Sequence, residues 1–132
     1  MSLLIDTHVW IWSQEEPDKI GRRTRGQISE ADRMYVSTTS TLEIARLIEH
    51  GLLGISADLE EWITRSLEAL RCEEIGLSRE VALGAYQLPG KFHRNPADRI
   101  LVSTARAHGL TLVTADRRIL RYRGVKTIDA RR

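Results

Sequence analysis

Short apolar runs of aliphatic and β-branched residues alternate along this chain with longer stretches of helical period. Leu3-Leu4-Ile5 forms the first run and ends on Asp6; Met34-Tyr35-Val36 is the second. Glu74-Ile75, Leu110–Thr114 and Val125–Ile128 read as three further strands. Between them the apolar period predicts helices over 7–13, 18–31, 41–50, 57–70, 78–88, 96–108 and 117–122. Gly51, Pro89-Gly90 and Gly109 supply stops for three of these. Strand–helix–strand alternation implies a mainly parallel central sheet with helices on both faces, a three-layer α/β/α domain. No linker, repeat or low-complexity tract divides the chain, so residues 1–132 are read as one domain.

Composition narrows the class. An apolar fraction of 42% and a charged fraction of 29% describe a globular domain rather than a disordered or fibrous one. Cys72 is the only cysteine, which rules out an internal disulfide and a cysteine-rich zinc site and suits a reducing compartment. No apolar run approaches the length of a membrane span, so a cytoplasmic protein with no membrane contact is expected. The net charge of +2 hides an asymmetry: residues 91–132 hold 11 basic and 3 acidic side chains. Arginine outnumbers lysine 17 to 3, and guanidinium suits bidentate phosphate contacts. A basic third of this kind either meets an anionic partner or is simply a solvated face.

Four acids stand where a parallel sheet would gather them. Asp6 follows the first strand, and Asp116 follows Leu112-Val113-Thr114. Glu43 is placed on the first turn of the helix leaving the second strand, and Asp98 on the first turn of the helix opened by Asn95-Pro96. Each has an ordinary structural role open to it. Asp6 and Asp116 suit helix N-caps, Ser40-Thr41-Leu42-Glu43 fits a capping box, and Asp98 matches a helix dipole. Together they mean more, because ligands of open parallel sheets bind beyond the carboxyl ends of the strands. Four carboxylates there would repel one another and resist ionisation without a cation between them. An oxygen-only donor set suits Mg²⁺ or Mn²⁺, and Mg²⁺ keeps positions open for a phosphate.

The segments Asp6-Thr7-His8, Thr41-Leu42-Glu43-Ile44-Ala45, Asn95-Pro96-Ala97-Asp98-Arg99 and Leu112-Val113-Thr114-Ala115-Asp116, in this order, resemble PIN-domain nucleases. The likeness is strongest to the VapC-type toxins of toxin–antitoxin pairs, and it spans essentially the whole chain. It implies a PIN-like fold and a metal-dependent endoribonuclease, with Asp6, Glu43, Asp98 and Asp116 as catalytic and metal-holding residues. Thr114 matches a small hydroxyl residue lining the same site. Related sequences often carry an acid where Asn95 stands; Asn95 can still cap its helix, while any outer charge there is missing.

The resemblance implies RNA hydrolysis by a metal-activated water, leaving 5′-phosphate and 3′-hydroxyl ends. Arg94 and Arg99 flank Asp98 and are expected to grip the RNA backbone. Arg117 and Arg118 follow Asp116 and either do the same or face solvent, while His8 and His93 read as structural or RNA-facing. Trp10 and Trp12 point about 200° apart on one helix, so either one sits in a surface groove or both are absorbed by a core between the sheet and a neighbouring helix. In the toxin family that helix helps form the groove for the antitoxin's C-terminal segment, which makes the pair candidates for antitoxin docking. The family also implies a homodimer and a cognate antitoxin whose arm presents an arginine or lysine to the acids.

Three rival classes fit less well. A receiver domain needs an acid pair after its first strand, where Asp6 stands alone. A haloacid-dehalogenase-like phosphatase needs Asp-x-Asp, and position 8 is histidine. A catalytically silent PIN-like module binding RNA or protein is the third, and such modules generally lose one or more of the four acids.

Overall fold

The computed structural model describes residues 1–132. Its centre is a sheet of five strands: β1 (Ser2–Ile5), β2 (Arg33–Ser37), β3 (Cys72–Ile75), β4 (Thr111–Thr114) and β5 (Thr127–Asp129). Their order across the sheet is β3-β2-β1-β4-β5, with every neighbouring pair parallel. Seven helices connect and cover them: α1 (Thr7–Glu15), α2 (Arg22–Glu30), α3 (Thr38–Glu49), α4 (Leu59–Leu70), α5 (Arg79–Gly84), α6 (Pro96–His108) and α7 (Arg117–Arg121). No helix is long and apolar enough to cross a membrane.

Alternation along β1 builds two cores. Leu3 and Ile5 join Val9, Trp10, Met34, Val36, Ile44 and Trp62 on one face. Leu4 joins Leu101, Val102, Ala105, Leu112 and Ile119 on the other. Because β1 is buried on both faces, its three apolar residues run on without a polar interruption. The chain enters at the middle of the sheet, builds outward through β2 and β3, and then returns beside β1 as β4. The strand order therefore reverses between β1 and β4, and the carboxyl ends of those two strands flank the crevice.

Several boundaries differ from those the period predicts. The helix expected over 18–31 begins only at Arg22, because Pro17–Lys19 forms a separate 3₁₀ turn and Ile20 and Gly21 are extended. The helix expected over 41–50 starts three residues earlier, at Thr38, since Ser37 rather than Ser40 is its N-cap and accepts from the Thr39 amide. Glu43 therefore lies in the second turn, and no capping box forms. The helix expected over 57–70 starts at Leu59, two residues later, with Asp58 as its N-cap. The helix over 78–88 is confined to Arg79–Gly84; a Cβ at Gly84 would fall 2.6 Å from Ser103 Oγ, so glycine lets α5 lie close on α6. Pro96–His108 is as expected, closed by Gly109 at φ +64°. Cys72 is half-buried and its thiol is pushed up to about 12 by burial, which removes it as a nucleophile.

Candidate functional site

The register that pairs Leu3, Leu4 and Ile5 with Thr111, Leu112 and Val113 brings Asp6 level with Thr114. The Asp6 amide continues the ladder by donating to the Val113 carbonyl at 3.0 Å. Asp6 is then both a helix cap and a buried acid. Its Oδ1 accepts from the Val9 amide at 2.8 Å, while its Oδ2 accepts from the Thr114 hydroxyl. Only 6% of the residue is exposed. Burial pushes its carboxyl up to about 6, against the lowering effect of those two hydrogen bonds.

Asp116 caps α7, accepting from the Arg118 and Ile119 amides, and its own amide donates to Thr114 Oγ1 at 3.0 Å. Partial burial works against its ionisation. The Arg118 guanidinium, 3.2 Å away, and the two capping amides outweigh that and hold the carboxyl below its ordinary value. Asn95 caps α6 by accepting from the Asp98 amide at 3.1 Å, which sets Asp98 on the first turn. Asp98 Oδ2 lies 2.6 Å from His93 Nε2 and 3.6 Å from Arg118 Nη2. Glu43 arrives from the facing helix: Thr7 Oγ1 donates to its Oε1 at 2.6 Å and lies 2.8 Å from Ser40 Oγ.

All four acids line one cavity of about 290 Å³ at the carboxyl edge of β1 and β4. Asn95 and Arg118 share its wall, with Trp12 and Arg131 on the α1 side. Thr114 lies beneath, fully buried, and acts on Asp6 from below. The cations near the acids are few. Arg118 spans Asp98 and Asp116, His93 pairs with Asp98, and neither Asp6 nor Glu43 has a salt-bridge partner.

The donors fit a hard divalent cation in kind: carboxylate oxygens facing a polar cavity, two of them without a counter-ion. No group of three or more acid, histidine or cysteine side chains is already drawn into metal-binding geometry. His93 and Arg118 both contact Asp98 through Oδ2, so its Oδ1 could serve an ion beside them, and the Arg118 side chain that also pairs with Asp116 is half-exposed.

Two expectations need correction. Arg99 does not present its guanidinium to a phosphate. Nε, Nη1 and Nη2 donate to the carbonyls of His93, Ala85 and Phe92 at 2.8–3.0 Å, and the group lies over the Tyr86 and Phe92 rings. Its charge organises the 85–93 loop. Arg94 is exposed. Trp10 is fully buried, packs against Trp62 at 5.4 Å and donates to Ser66, so it offers no docking surface. Trp12 alone of the pair faces the cavity, with Lys19 and Arg131 over its ring.

Thr7, Arg118 and Arg131 take larger parts than the chain pattern assigned them. Thr7 was legible as part of Asp6-Thr7-His8. Arg131, which donates to the Ala115 carbonyl, reaches the site only through the last strand, and nothing local signals it.

A PIN-domain model matches residues 3–125. This chain belongs to the PIN-domain family. It is 34% identical to Ribonuclease VapC22 of Mycobacterium tuberculosis over 92% of both chains, which places it with the VapC-type PIN domains. Among solved structures it is similar to DNA-bound VapBC from Salmonella typhimurium, with a TM-score of 0.70, 19% identity and 98% of each chain covered. It is also similar to VapBC2 from Rickettsia felis bound to a promoter DNA fragment, with a TM-score of 0.68, 18% identity and 98% of each chain covered. At these identities the PIN fold is what the neighbours share with it, and the α/β/α architecture above agrees with theirs.

Proposed function

We propose that this PIN domain is a metal-dependent endoribonuclease that acts in the cytoplasm as the toxin of a toxin–antitoxin pair. The observation that carries the reading is the convergence of Asp6, Glu43, Asp98 and Asp116 on one cavity at the reversal of strand order. The 34% identity to a ribonuclease over nearly the full chain supports the same chemistry.

Asp6, Glu43, Asp98 and Asp116 would hold Mg²⁺ or Mn²⁺. The bound ion supplies an acidified water as nucleophile and an electrophile for the attacked phosphate. The chain's own residues do the rest. Thr114 and the Val9 amide hold Asp6 in one orientation from beneath the cavity, and Thr7 does the same for Glu43. Asn95 fixes the first turn of α6 and with it the direction of Asp98. Arg118, released from the two acids, is positioned to take the negative charge of the RNA phosphate beside the cut. Arg94, exposed next to Asn95, is proposed as a second backbone contact.

The partner assigned to this reading is an antitoxin whose basic side chain enters the acidic cavity along Trp12, which Lys19 and Arg131 already flank. Homodimer formation is proposed by family likeness alone.

Purified protein should cleave a mixed cellular RNA pool with Mg²⁺ or Mn²⁺, stop in EDTA, and stop in Asp98→Asn. Cleavage that persists through both changes would overturn the assignment of the acids. Absence of cleavage with either metal would favour the silent binding module.

A further inference from the structure

Beside the acidic cavity lies a larger cleft of about 640 Å³, between the loop preceding α6 and the turn that follows α7. Its lining is of one charge. Lys91, Arg121 and Arg123 contribute fixed cations, and no carboxylate lines it. Phe92, His93 and Tyr122 also line it, with Pro89, Gly90 and Gly124. Phe92 lies 4.8 Å from Tyr122 and 4.2 Å from His93, and all three are half-buried residues lining the cleft. Tyr122 closes the far end by donating from its hydroxyl to the Pro89 carbonyl at 2.6 Å, and Arg99 holds the other loop from behind. The cleft is therefore bounded by hydrogen-bonded segments.

Arg118 lines both cavities, and His93, in the wall of the cleft, contacts Asp98 of the acidic cavity. A ligand seated here thus runs directly to the four acids. Resting on the ribonuclease reading, we propose that this cleft is a binding subsite for single-stranded RNA flanking the scissile phosphate. Phosphates lie along Lys91, Arg121 and Arg123, and a base seats against the Phe92–Tyr122 wall. Cations with interleaved aromatic rings form the usual surface for unpaired strands, because an unstacked base has a free face to offer. A duplex keeps its base faces stacked inside and can use only the cations.

The test measures binding without cleavage, by fluorescence anisotropy of a labelled 12-nucleotide oligouridylate with protein in EDTA, over a series of salt concentrations. Arg121→Gln/Arg123→Gln should bind roughly tenfold more weakly at low salt, and its log–log salt slope should fall by about 1.4, the share of two lost phosphate contacts on a single strand. Phe92→Leu, which keeps an apolar side chain in place, should also lose roughly tenfold in affinity but leave the slope unchanged. Arg25→Gln/Arg33→Gln, at the opposite end of the sheet, should match wild type in slope.

Equal binding by wild type and both cleft variants would overturn the subsite. So would a wild type that does not bind the oligomer, or one that prefers a duplex of the same length. The cleavage assay with Asp98→Asn is independent of all three results, so the ribonuclease reading stands or falls separately.

Discussion

The Thr114 hydroxyl donates to Asp6 Oδ2, 108 positions away in sequence, and accepts from the Asp116 amide, so one small side chain ties the first acid of the site to the last. Valine keeps the shape at position 114 and removes both bonds. Thr114→Val should cost about 1–3 kcal/mol of stability, because a buried carboxylate and a backbone amide lose their partner. It should also raise the Asp6 carboxyl further and move the acidic limb of the activity profile to higher pH. A pH–rate profile with an unmoved limb would show that the bond does not tune Asp6.

Asp6 contributes more to the stability of the metal-free protein in acid than in base. Its carboxyl sits at about 6 when folded against an ordinary 3.8, so the folded state holds this proton more tightly than the unfolded chain. The associated stability is complete below pH ~4 and is lost as pH rises through about 6. The loss amounts to about 3 kcal/mol at neutral pH. Asparagine retains a capping oxygen and a partner for Thr114. In urea titrations with EDTA, Asp6→Asn should exceed wild type in stability at pH 8, with the gap closing towards pH 4. Asp116 has the opposite sign: its depressed carboxyl favours the fold above its ordinary range and withdraws that support as pH falls.

If the acids hold a divalent cation, the ion reverses this burden. Mg²⁺ or Mn²⁺ at millimolar concentration should raise the melting temperature of wild type at pH 7.5 and have little effect at pH 5, where Asp6 keeps its proton. The gain should shrink in Glu43→Gln and Asp98→Asn. Equal stabilisation at both pH values would point to an ion bound elsewhere.

Arg99 should behave as part of the fold. Arg99→Met leaves three carbonyls of the 85–93 loop without their donor and should cost about 2–4 kcal/mol in denaturant unfolding. A stability unchanged from wild type would return this side chain to the surface role its sequence neighbours suggest.

The two tryptophans of α1 should separate by kind of effect. Trp10→Ala empties a fully buried site and should cost about 3–5 kcal/mol. Trp12→Ala should cost less than Trp10→Ala, because Trp12 is only half-buried against the same core, while weakening the protein partner proposed to enter the cavity. Calorimetric melting and titration with the partner separate the two results.

Much of this site was legible from local pattern. Leu3-Leu4-Ile5 before Asp6, Leu112-Val113-Thr114 before Asp116, and Asn95-Pro96 before Asp98 are each a strand end or a helix start written in consecutive residues. Such signals depend on backbone preference and apolar period, which neighbours within one turn decide. That is why the parallel strands, the placement of Asp6, Asp98 and Asp116 at strand ends and helix starts, and the Pro96–His108 helix were legible in the chain itself.

What the tertiary structure alone decided concerns contacts between distant segments. Ser37 outcompetes Ser40 as the cap of α3, which carries Glu43 into the second turn and under Thr7. Arg99 finds carbonyls rather than phosphate because the 85–93 loop folds back over α6. Trp10 and Trp12 are equivalent in sequence, and only the placement of α4 buries the first against Trp62. The chain by itself therefore determined the elements and the acids at their ends, since both rest on local preference and apolar period. The partners of each charged or aromatic side chain were decided by packing, because whichever group fills a neighbouring space depends on residues far along the chain.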